Sequence, residues 1–366
     1  MKIGSKCFND RELRNLIESG NERGLCDVLG GDDSVYDTEK EDNYLAVAIK
    51  DSLYIFDSST PINKNIPQKT IGEFFKDFHI FNININATKI TEILENIFKD
   101  DSDFKEIFTK PVHIRVLNDE KRKSELSIIK NDFNWEKFAN NIKYVNRFHS
   151  KIIQEKNLEK LINLLKVDFP KEIELYRGRI CKEEKGYEKD GMWAPPKEKA
   201  AHGRINAENI RCFYLTDSKE TVMQEIRAVA NDRITIAKFR ANKNIKDLWL
   251  VNFNFHDNIN IYGENSSELL EFLAVNIEII NDIITEIAKP LRSFDNYIEY
   301  IPMQFISDYI KFLGGSGVIY KSIFNNSAKN YAIFCNDEHD EKEKFECLEI
   351  ENVDIKKVGY ELSKYS

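Results

Sequence analysis

The stretch CFYLTDSKETVMQEIRA, residues 212–228, joins a short apolar run to an amphipathic segment. An Asp-Ser pair between them offers side chains preferred at helix N-termini, so the pattern predicts a strand, a turn and a helix capped by Asp217. The 3.6-residue period gives this helix one buried stripe: Val222, Ile226 and Val229. Glu225 lies at the edge of the stripe, on the same side as Thr221. From this stretch alone, a half-buried boundary glutamate is the commoner interpretation and a catalytic carboxylate is the alternative.

The flanking sequence sets the fold class. Apolar strand patterns occur at 172–180 (EIELYRGRI), 233–241 (RITIAKFRA) and 317–323 (GVIYKSI), while 301–313 (IPMQFISDYIKFL) has helical spacing. Strands and helices are mixed rather than strictly alternating, which favours an α+β fold over a doubly wound parallel sheet.

A division into two domains is predicted near residue 168. Apolar residues recur at helical spacing through 134–167, and the proline of DFP at 168–170 disfavours helix in the residue before it. We therefore predict a largely helical α/β N-terminal domain over 1–168 and a second domain over 169–366.

Composition and net charge argue against two classes of protein, nucleic-acid-binding proteins and membrane proteins. The 366 residues carry a formal net charge of −9, which argues against nucleic-acid binding through phosphate neutralisation. No apolar window is long enough to span a bilayer, and the first residues lack the apolar core of a signal peptide. We expect a cytoplasmic protein with no membrane partner.

The cysteines favour neither disulfides nor a metal site. Six of them are scattered along the chain without a Cys-x-x-Cys pair, and several lie in apolar runs. Cys7 and Cys26 could supply half of a zinc site, but a structural site needs four ligands. We therefore expect reduced, partly buried thiols and no metal.

Three predicted strands contain further candidate site residues. Arg177 and Arg179 share a strand face with Leu175, where an arginine is costly unless it meets an anion; a salt bridge and a phosphate ligand explain it equally well. Tyr214 is either a core tyrosine or a stacking partner for a flat heterocycle. Ser322 is on an interior strand face, where a serine commonly bonds backbone.

Taken together, these segments resemble a known family. The run LYRGRI…APP…GRIN…FYLTDSKETVMQEIRA…EYIPMQFISDYIK…GVIYKSI…NYAIF, from about 172 to 334, resembles the RES domain, named for its Arg, Glu and Ser. By motif position these three fall on Arg177, Glu225 and Ser322. The arginine of its GR-x-N motif falls on Arg204 and its strand tyrosine on Tyr214.

The resemblance implies an ADP-ribosyltransferase-like fold that binds NAD+ as substrate and cleaves its nicotinamide–ribose bond. RES proteins are typically bacterial toxins that deplete NAD+ by hydrolysis or phosphorolysis, or that ADP-ribosylate a target, and many are restrained by a protein antitoxin. Glu225 would then stabilise the ribose cation, with Ser322 orienting Glu225 or the ribose. Arg177 and Arg204 would hold the diphosphate, while Tyr214 and Thr221 would complete the NAD+ site.

Two departures from the RES pattern occur. Asn209 stands where relatives usually have Gly, and Met303 stands where they often have Thr. Asn tolerates a left-handed backbone, so we expect the first change to be accommodated.

The N-terminal half resembles the HEPN/RES N-terminal domain, which often begins with two Cys-x-x-Cys knuckles. In residues 1–38 each knuckle keeps one cysteine, with Gly4 and Leu29 at the other two positions, so the start is a degenerate zinc knuckle. HEPN ribonuclease chemistry needs an Arg four to six residues before a His, which no histidine here has. A role for this half in inhibition, sensing or homodimer formation stays open.

Overall fold

The computed structural model describes residues 1–40, 43–130, 133–181, 185–243, 248–254, 261–263, 265–289, 296–325, 327–337 and 340–355. The chain forms two compact units that alternate along the sequence. The first unit comprises Met1–Trp135, Lys151–Leu158 and Phe255–Asn281, and the second comprises Glu136–Ser150, Glu159–Asn254 and Asp282–Ser366. Segments on both sides of residue 168 thus enter each unit, and the domain division at that residue stays a prediction.

The first unit combines short helices with two small antiparallel sheets. Its helices are α1 (Arg11–Ser19), α2 (Tyr44–Leu53), α3 (Ile71–Asp77), α4 (Ala87–Ile97), α5 (Lys105–Thr109) and α6 (Glu120–Leu126). Its strands are β1 (Lys2–Gly4), β2 (Arg23–Leu25), β3 (Asp32–Asp37), β4 (Phe56–Asp57) and β5 (His113–Ile114), in the orders β1-β3-β2 and β4-β5.

The tract predicted to be helical over 134–167 is not one continuous helix. It contains α7 (Trp135–Tyr144), α8 (Glu155–Leu164) and a short strand, β6 (Lys166–Asp168). Val145 and Phe148 continue the apolar spacing of α7, yet they are 79% and 81% exposed. The predicted helix was therefore too long, because the apolar spacing continues beyond Tyr144, where α7 ends and the side chains no longer pack.

The second unit is built on one eight-stranded sheet. Besides β6, its strands are β7 (Glu174–Cys181), β8 (Cys212–Thr216), β9 (Arg233–Ala241), β10 (Trp249–Asn252), β11 (Gly317–Lys321), β12 (Lys329–Phe334) and β13 (Phe345–Asp354). The strand order is β13-β9-β7-β8-β12-β11-β10-β6, antiparallel except for the parallel pair β10 and β11. The remaining helices of the described chain are α9 (Lys219–Glu225), α10 (Ser266–Ala288), α11 (Ile301–Phe312) and α12 (Asp340–Lys344). Helices and a mostly antiparallel sheet confirm the predicted α+β class.

The register of this sheet separates an apolar face from a polar one. Thr216 pairs with Tyr176 on one side and with Asn330 on the other, and Asn330 in turn pairs with Tyr320. Side chains of directly paired residues lie on the same face of a sheet, so these four form a row across β7, β8, β12 and β11. The opposite face is the apolar core: Leu175, Phe213, Leu215, Phe239, Ile319 and Ile333.

Strands β7 and β8 part immediately after one residue pair. Tyr176 pairs with Thr216, whereas the rest of β7 pairs with β9 and the rest of β8 pairs with β12. The parted strands leave a gap beside the polar row, and the candidate site lies there. Within the described residues, no helix has the length and apolar character needed to cross a bilayer.

Candidate functional site

A cavity of about 350 Å³ opens where β7 and β8 part, under helix α9. Its walls are polar and aromatic and come from separate parts of the chain. The lining residues are Tyr176, Arg177, Gly178, Gly203, Arg204, Tyr214, Leu215, Thr216, Val222, Glu225, Ile226, Tyr300, Tyr320 and Asn330. The cavity thus contains two cations, one carboxylate and four tyrosines, and its size is at the small end of ligand sites.

Glu225 is fixed in this cavity through one of its two carboxylate oxygens. Ser322 donates its hydroxyl to Oε1 at 2.6 Å, and Asn330 donates its amide Nδ2 to the same atom at 2.8 Å. Among the described residues nothing bonds Oε2, and Oε2 is not buried. Two donors therefore hold the side chain while Oε2 stays available to a ligand.

Glu225 is also the last residue of α9. Arg227 has φ +53°, its N–H bonds the Gln224 carbonyl, and the Ala228 N–H bonds the Met223 carbonyl. This is a Schellman ending with arginine at the position that usually holds glycine. The negative end of a helix disfavours a carboxylate, so the hydrogen bonds from Ser322 and Asn330 offset an unfavourable location.

Two predictions about this helix were wrong. Ser218, not Asp217, is the N-cap, and its hydroxyl accepts from the Thr221 N–H at 3.2 Å. Asp217 instead accepts from the Lys329 N–H at 2.8 Å and pins the start of β12. Val229 is 52% exposed because the helix has already ended.

Gly178 allows α9 to lie close to the sheet. A β-carbon at this position would be 2.3 Å from Cγ1 of Val222 and 3.1 Å from Cδ1 of Ile226. Real β-carbons essentially never approach another atom to 2.3 Å, so the glycine of the YRGRI segment is needed for α9, which carries Glu225, to lie this close to β7.

Ser322 lies behind Glu225 rather than in the cavity wall. Its side chain is 1% exposed, it donates to Glu225, and its oxygen accepts from the Phe324 N–H at 3.2 Å. Of its two expected roles, this geometry favours orienting Glu225 over contacting the ribose.

Arg177 bridges the parted strands. Its Nη1 donates to the Tyr214 carbonyl at 3.1 Å, and its guanidinium lies 5.5 Å from the ring centroid of Phe213. Burial, and secondarily the charge of Arg179, lowers the pKa of Arg177 from its ordinary value to about 10. Its Nε is buried with no partner among the described residues, and none of them forms an ion pair with it. The geometry therefore disfavours the salt-bridge interpretation.

Arg204 reaches the same cavity from a loop. Its Nη1 donates to the Ile287 carbonyl at 2.7 Å, its guanidinium is 5.4 Å from the Tyr320 ring centroid, and its Nε is also buried without a partner in the described chain. Gln304 fixes the loop by donating Nε2 to the carbonyls of Gly203 and Asn206, each at 2.9 Å.

Tyr214 lines the cavity with its hydroxyl already engaged. The hydroxyl donates to Oδ1 of Asn206 at 2.6 Å and accepts from the Ile205 N–H at 3.2 Å. A β-carbon at Gly203 would approach this oxygen to 2.3 Å, so the glycine of GRIN is required here. Burial raises the pKa of Tyr214 well above its ordinary value and that of Tyr320 to about 12, so both phenols are neutral at physiological pH.

Thr221 does not reach the cavity. Its side chain is fully buried, its hydroxyl donates to Ser218 at 2.8 Å, and it accepts from Asn325 at 3.4 Å. Its observed contacts support the start of α9, and none of them is to the cavity.

The backbone explains the first of the two departures from the RES pattern, and nothing in the structure explains the second. Asn209 has φ +65°, a left-handed conformation that Asn tolerates, as expected. Met303 is 2% exposed in α11, beside Gln304.

Four residues of the site were not predicted: Asn330, Tyr176, Tyr300 and Tyr320. Asn330 was within a recognised segment, NYAIF, but a strand asparagine by itself gives no functional signal. Strand register could have indicated it, since Asn330 pairs with both Thr216 and Tyr320. Register depends on long-range pairing that one sequence does not display.

The N-terminal cysteines form a buried thiol pair. Cys7 and Cys26 have their sulfurs 3.6 Å apart, and Cys26 accepts N–H bonds from Gly4 at 3.3 Å and Leu29 at 3.4 Å. The residues at the two altered knuckle positions are thus held against one remaining cysteine. Over the part of the chain that the structure describes, no group of three or more Cys, His, Asp or Glu side chains could hold a metal.

Comparison with known proteins identifies the segment that contains the cavity. The profile of the RES domain matches residues 175–353. No curated protein matches the chain. A chain from a solved structure titled "Crystal structure of the M.tuberculosis MbcT-MbcA toxin-antitoxin complex" is 12% identical, with 54% of this chain and 91% of that chain covered and a TM-score of 0.32. A TM-score this low carries no argument about this chain, and the resemblance of the N-terminal half to a HEPN/RES domain stays a prediction. Residues 175–353, which include the cavity and Glu225, are a RES domain.

Proposed function

We propose that this protein is an NAD+ glycohydrolase that cleaves the nicotinamide–ribose bond. The observation that carries the proposal is Glu225, held through Oε1 by two donors with Oε2 available, in a cavity that also contains Arg177 and Arg204. The RES domain match supports the choice of NAD+ as substrate class.

The bond in question needs charge stabilisation more than an acid. Nicotinamide is cationic in NAD+ and departs neutral, so the leaving group requires no proton. The ribose develops oxocarbenium character, which a nearby carboxylate stabilises as in glycoside hydrolysis. Oε2 of Glu225 would hold a ribose hydroxyl and face the developing positive charge, while Ser322 and Asn330 keep the carboxylate from rotating.

The arginines suit the diphosphate. Both have a buried Nε without a partner in the described chain, and both stand at the cavity wall. Charge-assisted bonds from guanidinium to phosphate would satisfy these groups and orient the dinucleotide. Tyr214 would pack on the nicotinamide or its ribose, because its ring lines the cavity and its hydroxyl is already engaged.

The biological role that fits a RES domain is a cytoplasmic bacterial toxin restrained by a protein antitoxin or immunity partner. The same site would serve an ADP-ribosyltransferase or an NAD+ phosphorylase, and the products separate the three reactions. Hydrolysis gives ADP-ribose, phosphorolysis gives a phosphorylated ADP-ribose only when phosphate is present, and transfer labels an acceptor.

The test is nicotinamide release from NAD+ by the purified protein. Glu225→Gln keeps the shape of the side chain and removes its charge, and we expect a loss of about 10²–10³-fold in kcat, the size typical of lost transition-state electrostatics. Glu220→Gln is the matched control, since Glu220 is an exposed carboxylate on the same helix, and it should retain full activity. Release that is absent in the wild type, or equal in Glu225→Gln, would refute the proposal.

A further inference from the structure

An aromatic pair stands beside the cavity without a role in the chemistry above. The rings of His202 and Tyr297 are stacked, with centroids 5.3 Å apart and planes at 15°. Tyr297 is 60% exposed and the His202 side chain 40%. One ring covers a single face of its neighbour, so a large aromatic surface faces solvent.

This pair is directly linked to the cavity wall. His202 immediately precedes Gly203 and Arg204, which line the cavity, and the Tyr297 ring is 6.4 Å from that of Tyr300, which lines it too. The pair therefore lies beside the part of the wall formed by Arg204 and Tyr300.

The pair is held in place from both sides. His202 Nε2 is 3.3 Å from a carboxylate oxygen of Glu208. Tyr297 begins a helical turn capped by Asn296, whose side chain accepts from the Ile298 N–H at 3.1 Å. An ion pair of 2.6 Å between Lys143 and Glu299 anchors the same turn. Because the ring is already held in one orientation, little side-chain conformational entropy is lost when a ligand stacks on it.

We propose that the His202–Tyr297 pair is the stacking platform for the adenine base of NAD+. This inference rests on the proposed function. The cavity of about 350 Å³ is small for a dinucleotide with two bases, two riboses and two phosphates. With the nicotinamide ribose at Glu225 and the diphosphate at Arg204, the adenosine extends outside the cavity. Adenine has an extended π-face, and stacking of a base on an aromatic side chain contributes about 1–3 kcal/mol.

The experiment compares NAD+ with nicotinamide mononucleotide, which has the scissile bond and no adenosine. Tyr297→Ala should raise KM for NAD+ by about 5- to 150-fold, the factor that corresponds to the stacking energy, and leave kcat unchanged. Its kinetics with nicotinamide mononucleotide should match those of the wild type. Tyr297→Phe keeps the ring and should keep the KM, whereas His202→Ala should raise it.

The matched control is Tyr54→Ala, which removes another tyrosine that is 50% exposed and packs on a second ring, in the first unit. A KM for NAD+ that stays within about twofold in Tyr297→Ala would overturn the platform, as would equal increases for both substrates. If the wild type cleaves neither substrate, the proposed function fails. Calorimetry with ADP-ribose then tests the stacking platform independently of catalysis. Weaker ADP-ribose binding in Tyr297→Ala supports it, and equal binding refutes it.

Discussion

The two hydrogen bonds to Oε1 of Glu225 predict a specific pattern of catalytic loss. Ser322→Ala removes a bond of 2.6 Å and Asn330→Ala one of 2.8 Å, both to an ionised acceptor. Bonds to charged groups contribute about 1.5–3 kcal/mol, and each 1.36 kcal/mol is tenfold in rate. One donor remains in each single variant and still restricts the carboxylate, so we expect kcat for nicotinamide release to fall about tenfold in either.

The double variant should lose more than the product of the single losses, about 10³-fold in kcat, because no donor then holds the carboxylate. KM should change little, since neither Ser322 nor Asn330 is placed to bind the diphosphate. Ser52→Ala is the control for loss of a buried hydroxyl, because Ser52, in the first unit, is fully buried and among the described residues its hydroxyl bonds only the Ile49 carbonyl. It should lower stability without lowering kcat.

The variant Asn330→Asp distinguishes positioning from a structural effect. It keeps the size of the side chain but replaces the amide donor with a second carboxylate against Glu225, and like charges repel each other. The loss of kcat in Asn330→Asp should therefore exceed the loss in Asn330→Ala. If both single alanine variants and Asn330→Asp keep kcat within about twofold, the reasoning about Oε1 is refuted.

Two further predictions concern the wall of the cavity. At pH 7 Arg177 is charged in both the folded and the unfolded chain. The desolvation that lowers its pKa therefore destabilises the folded state fully at pH 7, and this destabilisation decreases only as pH rises through about 10. Arg177→Met should therefore raise the free energy of unfolding in urea by about 1 kcal/mol, a value reduced for solvent screening because the side chain is partly exposed. The same variant should bind NAD+ more weakly in calorimetry. A lower free energy of unfolding than that of the wild type would contradict this reasoning. Gly178→Ala should lower the free energy of unfolding by about 1–3 kcal/mol, because the added β-carbon would push Val222, and with it α9, away from β7. It should also lower kcat, since α9 carries Glu225. Gly24→Ala in β2, whose added β-carbon would have no contact shorter than 3.5 Å, should do neither, and equal behaviour of the two glycines would refute the close-approach argument.

Local patterns predicted the elements of the second unit better than their ends. The strands at 172–180, 233–241 and 317–323 and helix α11 occur where alternation and helical spacing place them. The end of α9 was missed because Arg227 adopts a left-handed conformation that its identity does not signal. The same limitation applies to α7, where an apolar period continues through residues that remain exposed.

The sequence by itself determined the α+β class, the RES motif and the residue types of the site, since all three depend on short-range patterns and motif order. Only the tertiary structure brought Arg177, Arg204 and Glu225 to one cavity and placed Ser322 behind the glutamate rather than beside a substrate. It also selected Asn330, through a register that sets this residue opposite Thr216 and Tyr320. The physical reason is that strand pairing and close helix packing are long-range contacts, and their energy depends on which distant residues meet.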